Sequence, residues 1–402
     1  MNTNRVDLGV TLGTLRFENP FILASAPPTA DGKFIRKAFE LGWAGAVIKT
    51  IKPDELKIKD VSPRFGILKD RKGTIIGFQN FELLSKKGIQ YWVNEISSIK
   101  KEYPQKILIA SIMADLQEES WVLLARQMEQ AGADALELNF SCPHGMPEKG
   151  IGAAIGQDPI IAGVITGWVK NAVTIPVIVK LSPNVSDIRT IATAVEFAGA
   201  DAISAINTVQ CLVGVDIETF EPLPNVGGSS TYGGYSGPAV KPIGLRCVSQ
   251  IAECTDVPIY GIGGINQWQD VVEYIAVGAG AVQICTEVML NGFAVIKPML
   301  KGLEEYMQRK KINNLGDICG LAAKKMISHE SLSRQSFVKA EIVDEKKCIL
   351  CQKCVTACHE SGYEAISASE QGIIIDQNKC DGCSLCSFVC PREIINMKSC
   401  KA

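Results

Sequence analysis

The sequence predicts an α/β protein in two parts, a (β/α)8 TIM barrel followed by a small α+β domain of different composition. Two observations carry this. Over roughly the first 300 residues of the 402, a short β-branched run followed by a longer stretch of helical period recurs eight times. Then eight of the fifteen cysteines crowd between Cys348 and Cys390. Eight parallel units fit a closed barrel better than an open doubly wound sheet, which usually has about five or six strands.

The eight expected strands are Phe21–Ser25, Ala46–Lys49, Ile107–Ile112, Ala135–Asn139, Val177–Leu181, Ala202–Ile206, Ile259–Ile262 and Ala281–Ile284. Cap signals open several of the intervening helices: Asp115, Asp158-Pro159 and Ser186-Asp187. The tetrapeptide Ala-Gly-Ala-Asp occurs at Ala131–Asp134 and again at Ala198–Asp201, each time leading from a helix into a strand. Two connections exceed simple loops, Phe140 to Gln157 and Thr208 to Gly237. Both leave the C-terminal ends of strands, where barrel active sites sit. The expected domains are a barrel over 1–308, a connector over 309–340 and the cysteine-rich domain over 341–402.

Composition narrows the function classes. Lys plus Arg is 41 against 43 for Asp plus Glu, which leaves no basic footprint for a nucleic-acid backbone. The uncharged stretch from Pro222 to Val240 is rich in Gly, Ser and Pro, so it reads as a loop and not as a membrane span. The start lacks a signal-peptide pattern. A soluble cytoplasmic protein is expected, whose thiols serve metal binding or catalysis and not a disulfide framework.

Cys348, Cys351, Cys354 and Cys358 form C-x2-C-x2-C-x3-C, and Cys380, Cys383, Cys386 and Cys390 repeat it, followed by Pro391. Such runs hold four-iron clusters, and in two-cluster ferredoxins the fourth Cys of each run ligates the other cluster. One [4Fe-4S] cluster is therefore expected on Cys348, Cys351, Cys354 and Cys390, the other on Cys380, Cys383, Cys386 and Cys358. Zinc sites would use two Cys pairs per metal instead of triplets. His359 stands where a proline usually follows the fourth Cys.

A redox module fused to a barrel points to a two-electron carrier in the barrel mouth. Ile262-Gly263-Gly264 follows the seventh strand and Cys285-Thr286 the eighth, where barrels bind phosphate through backbone amides. Lys49 and Lys180 end otherwise apolar strands and are suited to an anionic cofactor atom. Asn80, Asn139, Asn207 and Thr208 aim at the same face, and amide side chains match the alternating N–H and C=O groups of a cyclic imide. Cys142, with an ordinary pKa near ~8.5, is a thiol able to donate a proton, and His144 is the alternative acid. Gly150, Gly152 and Gly156 imitate a dinucleotide fingerprint but lie inside a loop, so no NAD site is expected.

The segment Glu137–Met146, with Glu148, Lys149, Gly150 and Gly156–Pro159, resembles the active-site segment of dihydropyrimidine dehydrogenases. Val179–Ile188, Asn207–Val209 and Tyr235–Ile243 resemble further blocks of that family, and the likeness runs from about Asn19 to Pro391. Pro147 and Lys149 depart from residues the family often has there. The resemblance implies that Ser25, Lys49, Thr50, Lys180, Gly237, Ile262, Gly263, Gly264, Cys285 and Thr286 surround FMN. It implies that Asn80, Asn139, Ser141, Asn207 and Thr208 hold a pyrimidine and that Cys142 is the general acid. NAD(H) or NADP(H) and FAD would enter through a partner subunit, in a hetero-oligomer such as a heterotetramer. Dihydroorotate dehydrogenase, which shares the barrel, FMN, the lysines and a Cys-Pro loop, is the nearest rival; an electron-transfer subunit without organic substrate is the other.

Overall fold

The computed structural model describes residues 6–57, 59–140, 152–369 and 372–401, in two compact units, Met1–Lys325 and Met326–Ala402. The division falls inside the segment expected as a connector. In the first unit eight parallel strands close a barrel. In chain order they are β1 (Phe21–Leu23), β2 (Gly45–Val47), β3 (Ile107–Ile112), β4 (Ala135–Asn139), β5 (Val177–Leu181), β6 (Ala202–Ala205), β7 (Ile259–Ile262) and β8 (Ala281–Ile284). Five coincide with the expected spans; β1, β2 and β6 stop short, leaving Ser25, Lys49 and Ile206 beyond their C-terminal ends.

The main helices outside the barrel are α1 (Gly32–Leu41), α2 (Ile89–Glu102), α3 (Glu118–Gln130), α4 (Pro159–Ala172), α5 (Ile188–Phe197), α6 (Lys241–Cys254), α7 (Trp268–Ala276) and α8 (Ile296–Lys310). Asp158 caps α4, its carboxylate accepting from the amides of Ile160 and Ile161, and Asp187 caps α5 through the Arg189 amide. Asp115 does not cap α3. That helix starts at Glu118, and the Asp115 carbonyl instead accepts from Trp121 Nε1 at 2.6 Å.

The repeated Ala-Gly-Ala-Asp has a mechanical reading. Gly132 and Gly199 take φ +98° and +96°, ending α3 and α5 in a conformation that side chains resist. Two residues on, Asp134 accepts the Leu108 amide and pairs with Lys100, while Asp201 accepts the Val177 amide and pairs with Lys170. Each carboxylate thus pins the incoming strand to its neighbour. At the opposite end of the strands, a hairpin of Val10–Leu12 and Leu15–Phe17 packs Phe17 against Tyr260 in an edge-on contact, at the N-terminal mouth.

The C-terminal face carries a second sheet. Val209–Cys211, Gly233–Ser236, Ile75–Asn80 and Phe65–Lys69 pair antiparallel in that spatial order. The long stretch after β6 is therefore partly strand. The insertion after β2 holds a hairpin that alternation alone did not reveal, because its outer strand exposes Phe65, Ile67 and Leu68 and carries no polar face.

The second unit pairs Ser336–Ile342 with Ile395–Lys401 and Ile366–Ser369 with Gly372–Ile375, both antiparallel, beside helices Lys353–Glu360 and Leu385–Val389. Ala340, Ala365, Ile366, Ile394 and Ile395 form its core with three of the cysteines. Among the described residues of either unit, no helix is long and apolar enough to cross a membrane.

Candidate active site

Above the C-terminal ends of the strands lies a cavity of about 1230 Å³, its open mouth included. Its lining contains fourteen residues expected at the site: Ser25, Lys49, Thr50, Asn80, Asn139, Lys180, Asn207, Thr208, Gly237, Ile262, Gly263, Gly264, Cys285 and Thr286. Ser141 and Cys142 lie outside the described residues, as does His144.

Parallel register sets much of this arrangement. Asn139 and Lys180 are direct partners across β4 and β5, so both ends reach the mouth together. Asn139 donates to Thr50 Oγ1 at 2.9 Å, and Thr50 in turn shares hydrogen bonds with Ser25 at 3.1 Å and Ser111 at 2.9 Å. The Asn80 amide donates to the Gly234 carbonyl, and its oxygen accepts from the Glu82 amide, which fixes the Asn80 side chain within the inserted sheet.

The glycine turn after β7 is held from both sides. Gly263 and Gly264 take φ +126° and +68°. A Cβ on Gly264 would stand 2.7 Å from the Lys241 amide nitrogen and 2.9 Å from the Gly237 carbonyl, so the backbone here comes closer than any side chain allows. The buried Tyr274 hydroxyl props the turn, donating toward the carbonyls of Gly263 at 2.7 Å and Ile262 at 3.2 Å. Thr286 donates to Ser236 Oγ at 2.8 Å and closes the same corner.

Charge in the pocket is balanced. Lys49 Nζ lies 3.1 Å from Glu82 Oε2, whose other oxygen meets Arg64 Nε at 2.8 Å. Lys180 Nζ lies 3.8 Å from Glu137 Oε1. The other Glu137 oxygen accepts from Ser204 Oγ at 3.0 Å and Gln283 Nε2 at 2.7 Å. Glu137, Ser204 and Gln283 stand on β4, β6 and β8, alternate strands filling one layer of the barrel. Burial pushes the Cys285 thiol up to about 11, an effect that Lys180 and Lys49 partly offset. Sequence reasoning missed Glu82, Glu137, Gln283 and Tyr274; an acidic residue inside the apolar strand Ala-Leu-Glu-Leu-Asn was the available signal.

The cysteines gather into two further cavities. Cys348, Cys351, Cys354 and Cys390 line one of about 380 Å³, and Cys358, Cys380, Cys383 and Cys386 line another of about 340 Å³, their open mouths included. The two motifs share one backbone. Leu350 and Gly382 have φ +52° and +78°, Gln352 and Ser384 +57° and +67°, at matching places in each triplet. The amides of Ala365 and Ala340 point at the sulfurs of Cys358 and Cys380, at 3.3 and 3.5 Å. Among the described residues no three His, Cys, Asp or Glu side chains close on a point as ligands of a single ion would. Each quartet surrounds a space. Burial holds Cys386 up near about 11, so iron must displace its proton.

Residues 7–307 match the dihydroorotate dehydrogenase family, and residues 341–397 match the 4Fe-4S dicluster domain. The chain belongs to the dihydroorotate dehydrogenase family, extended by a dicluster domain. It is an oxidoreductase of that family, whose barrels bind FMN. It is 37% identical over 396 residues to the NAD-dependent dihydropyrimidine dehydrogenase subunit PreA of Escherichia coli (strain K12), covering 97% of this chain and 95% of that one. The chloroplastic dihydropyrimidine dehydrogenase (NADP(+)) of Arabidopsis thaliana is also 37% identical, over 85% of this chain and 82% of its own. The catalytic subunit of dihydroorotate dehydrogenase B (NAD(+)) from Pyrococcus horikoshii is 40% identical over 98% of its length, but this spans 79% of the present chain. The pocket suits the family's flavin. The Gly263-Gly264 turn leaves the close approach a phosphate needs, and Gln283, which lines the pocket, has a buried acceptor atom, Oε1, with no hydrogen-bond partner among the described residues.

Proposed function

We propose that this chain is the catalytic subunit of a dihydropyrimidine dehydrogenase, interconverting uracil or thymine and the 5,6-dihydropyrimidine. One observation carries the choice of substrate. Among the described residues, the cations lining the pocket are Lys49 and Lys180, and each already faces a carboxylate, Glu82 or Glu137. A dihydroorotate carboxylate would need an uncompensated cation. What remains for the substrate is amide and hydroxyl chemistry, suited to a neutral imide.

FMN, held by Ser25, Lys49, Thr50, Lys180, Gly237, Ile262, Gly263, Gly264, Cys285 and Thr286, supplies the hydride chemistry at C6 of the ring. Asn80, Asn139, Ser141, Asn207 and Thr208 orient the ring by matching its alternating donors and acceptors. Cys142 gives a proton to C5 and, in the reverse direction, takes it back. Cys348, Cys351, Cys354 and Cys390 hold one [4Fe-4S] cluster, and Cys380, Cys383, Cys386 and Cys358 the other. Electrons come from a partner subunit that binds FAD and NAD(H) or NADP(H), within a hetero-oligomer such as a heterotetramer in the cytoplasm. The barrel's likeness to dihydroorotate dehydrogenases favours the second reading, orotate as substrate.

The deciding experiment reduces the FMN-loaded chain anaerobically and follows flavin reoxidation by uracil, thymine and orotate. Uracil or thymine should reoxidise it at least about tenfold faster than orotate. Faster reaction with orotate makes the chain a dihydroorotate dehydrogenase, and no reaction with any of them makes it an electron-transfer subunit.

A further inference from the structure

Glu137 is fully buried on β4 and takes no part in the chemistry proposed above. An ionised carboxylate in such a place is costly unless charge and hydrogen bonds compensate it. Here the compensation is one-sided. Oε2 receives two donors, Ser204 and Gln283, which fix the carboxylate in the barrel layer. Oε1 has no hydrogen-bond partner among the described residues and faces the Lys180 ammonium at 3.8 Å. Lys180 is itself only 5% exposed and lines the pocket together with Cys285, whose thiol feels its charge. A cation so placed stabilises electron density added to a flavin in the pocket, and an anion behind it opposes that effect.

We propose that Glu137 is a positioning residue that anchors the Lys180 ammonium at the pocket floor and, by compensating its charge, lowers the reduction potential of the FMN bound above it. The inference rests on the placement of FMN in this pocket. Ser204 and Gln283 serve it by holding the carboxylate in one orientation, and the 3.8 Å gap leaves the ammonium protons free to turn toward the cofactor. Without the carboxylate, the same lysine presents its whole charge to the flavin.

The test is a dye-equilibrated anaerobic titration of the full chain, read at the flavin absorbance, after FMN content has been measured. Glu137→Gln keeps the shape and an acceptor for Gln283 but removes the charge. It should raise the reduced-to-oxidised flavin ratio at a fixed potential about tenfold, an upward shift of about 30 mV for a two-electron couple. Glu137→Asp keeps the charge and should stay close to wild type. In a Lys180→Met background no ammonium is left for Glu137 to anchor or compensate, so adding Glu137→Gln should change the reduced-to-oxidised ratio far less than tenfold. This double variant buries no charge and folds even if Glu137→Gln alone does not. An unchanged potential in Glu137→Gln, equal shifts in the Gln and Asp variants, or a tenfold effect of Glu137→Gln on top of Lys180→Met would each overturn the inference. A wild-type chain that binds no FMN overturns the proposed function with it; FMN bound without the shift overturns this inference alone.

Discussion

Lys49 Nζ sits 3.1 Å from Glu82 Oε2 while Arg64 holds the opposite oxygen of the same carboxylate at 2.8 Å. The pair joins the end of a barrel strand to the inserted sheet that also carries Asn80. Because both partners are nearly buried, Coulomb attraction is little screened, and the lysine is not available to a second anion. Glu82→Gln releases it. The variant should gain on orotate relative to uracil by about ten- to a hundredfold in kcat/KM, since a hydrogen bond to a charged group is worth roughly 1.5 to 3 kcal/mol. An unaltered preference would mean that Glu82 does not govern charge selection.

Gly264 is the position where a side chain is least tolerable. Alanine there must adopt φ +68° and displace either the Lys241 amide or the Gly237 carbonyl. The left-handed conformation alone costs roughly 1 to 2 kcal/mol. Gly264→Ala should therefore lower barrel stability by at least about 1 kcal/mol and, by displacing the turn, weaken FMN binding at least about tenfold, measured by flavin fluorescence quenching. A destabilised variant whose FMN affinity is unchanged would show that the turn serves folding instead of the cofactor.

Cys142→Ala tests the proton donor. The variant should retain FMN, iron and pyrimidine binding, because none of these uses the sulfur. Single-turnover flavin reoxidation by uracil should slow about 10² to 10⁴-fold, the usual worth of general acid catalysis. Were His144 the acid, His144→Ala would carry that loss and Cys142→Ala would remain within threefold of wild type.

Cys285 offers a pH dependence. Burial raises its thiol to about 11 from an ordinary value of 9.0, so the thiolate that alkylating agents attack is scarce at neutral pH. In FMN-free chain its carboxymethylation should climb about tenfold per pH unit up to about 11, while an unstructured cysteine levels off near 9. Lys180→Met removes a neighbouring cation and should push the thiol higher still. The sign for stability follows: the folded state keeps a proton that the unfolded chain has lost, so stability falls as pH rises from 9.0 through about 11. Peptide mapping after timed alkylation checks it, and a plateau at pH 9 is the adverse result.

Ligand crossing between the two cysteine runs is open to iron analysis. Cys351 and Cys390 line one cavity, Cys351 and Cys383 different ones. The double variant Cys351→Ser, Cys390→Ser should lose one cluster, and Cys351→Ser, Cys383→Ser should damage both. If the first pair destroyed both clusters, each run would be ligating its own.

Much of this architecture is legible along the chain because its signals are local. Strand and helix periods, the two Ala-Gly-Ala-Asp stops and the Asp158 and Asp187 caps depend on residues within a few positions of one another. The cysteine spacing is local too, since each triplet wraps its sulfurs inward by two left-handed residues inside the motif itself. Even the pocket lining followed from strand ends, as a residue just past a barrel strand has one face to occupy.

The sequence by itself determined the barrel, the eight thiols and the polar character of the pocket. Tertiary structure decided which charges meet there. Glu137, Ser204 and Gln283 are far apart in the chain, and they touch because barrel closure sets the register of β4, β6 and β8 across a common interior. Glu82 reaches Lys49 because an antiparallel sheet folds an insertion over the strand ends. Tyr274 reaches the Gly263 turn from α7. Each is a contact between elements, fixed by strand register and packing, and no spacing along one segment encodes either.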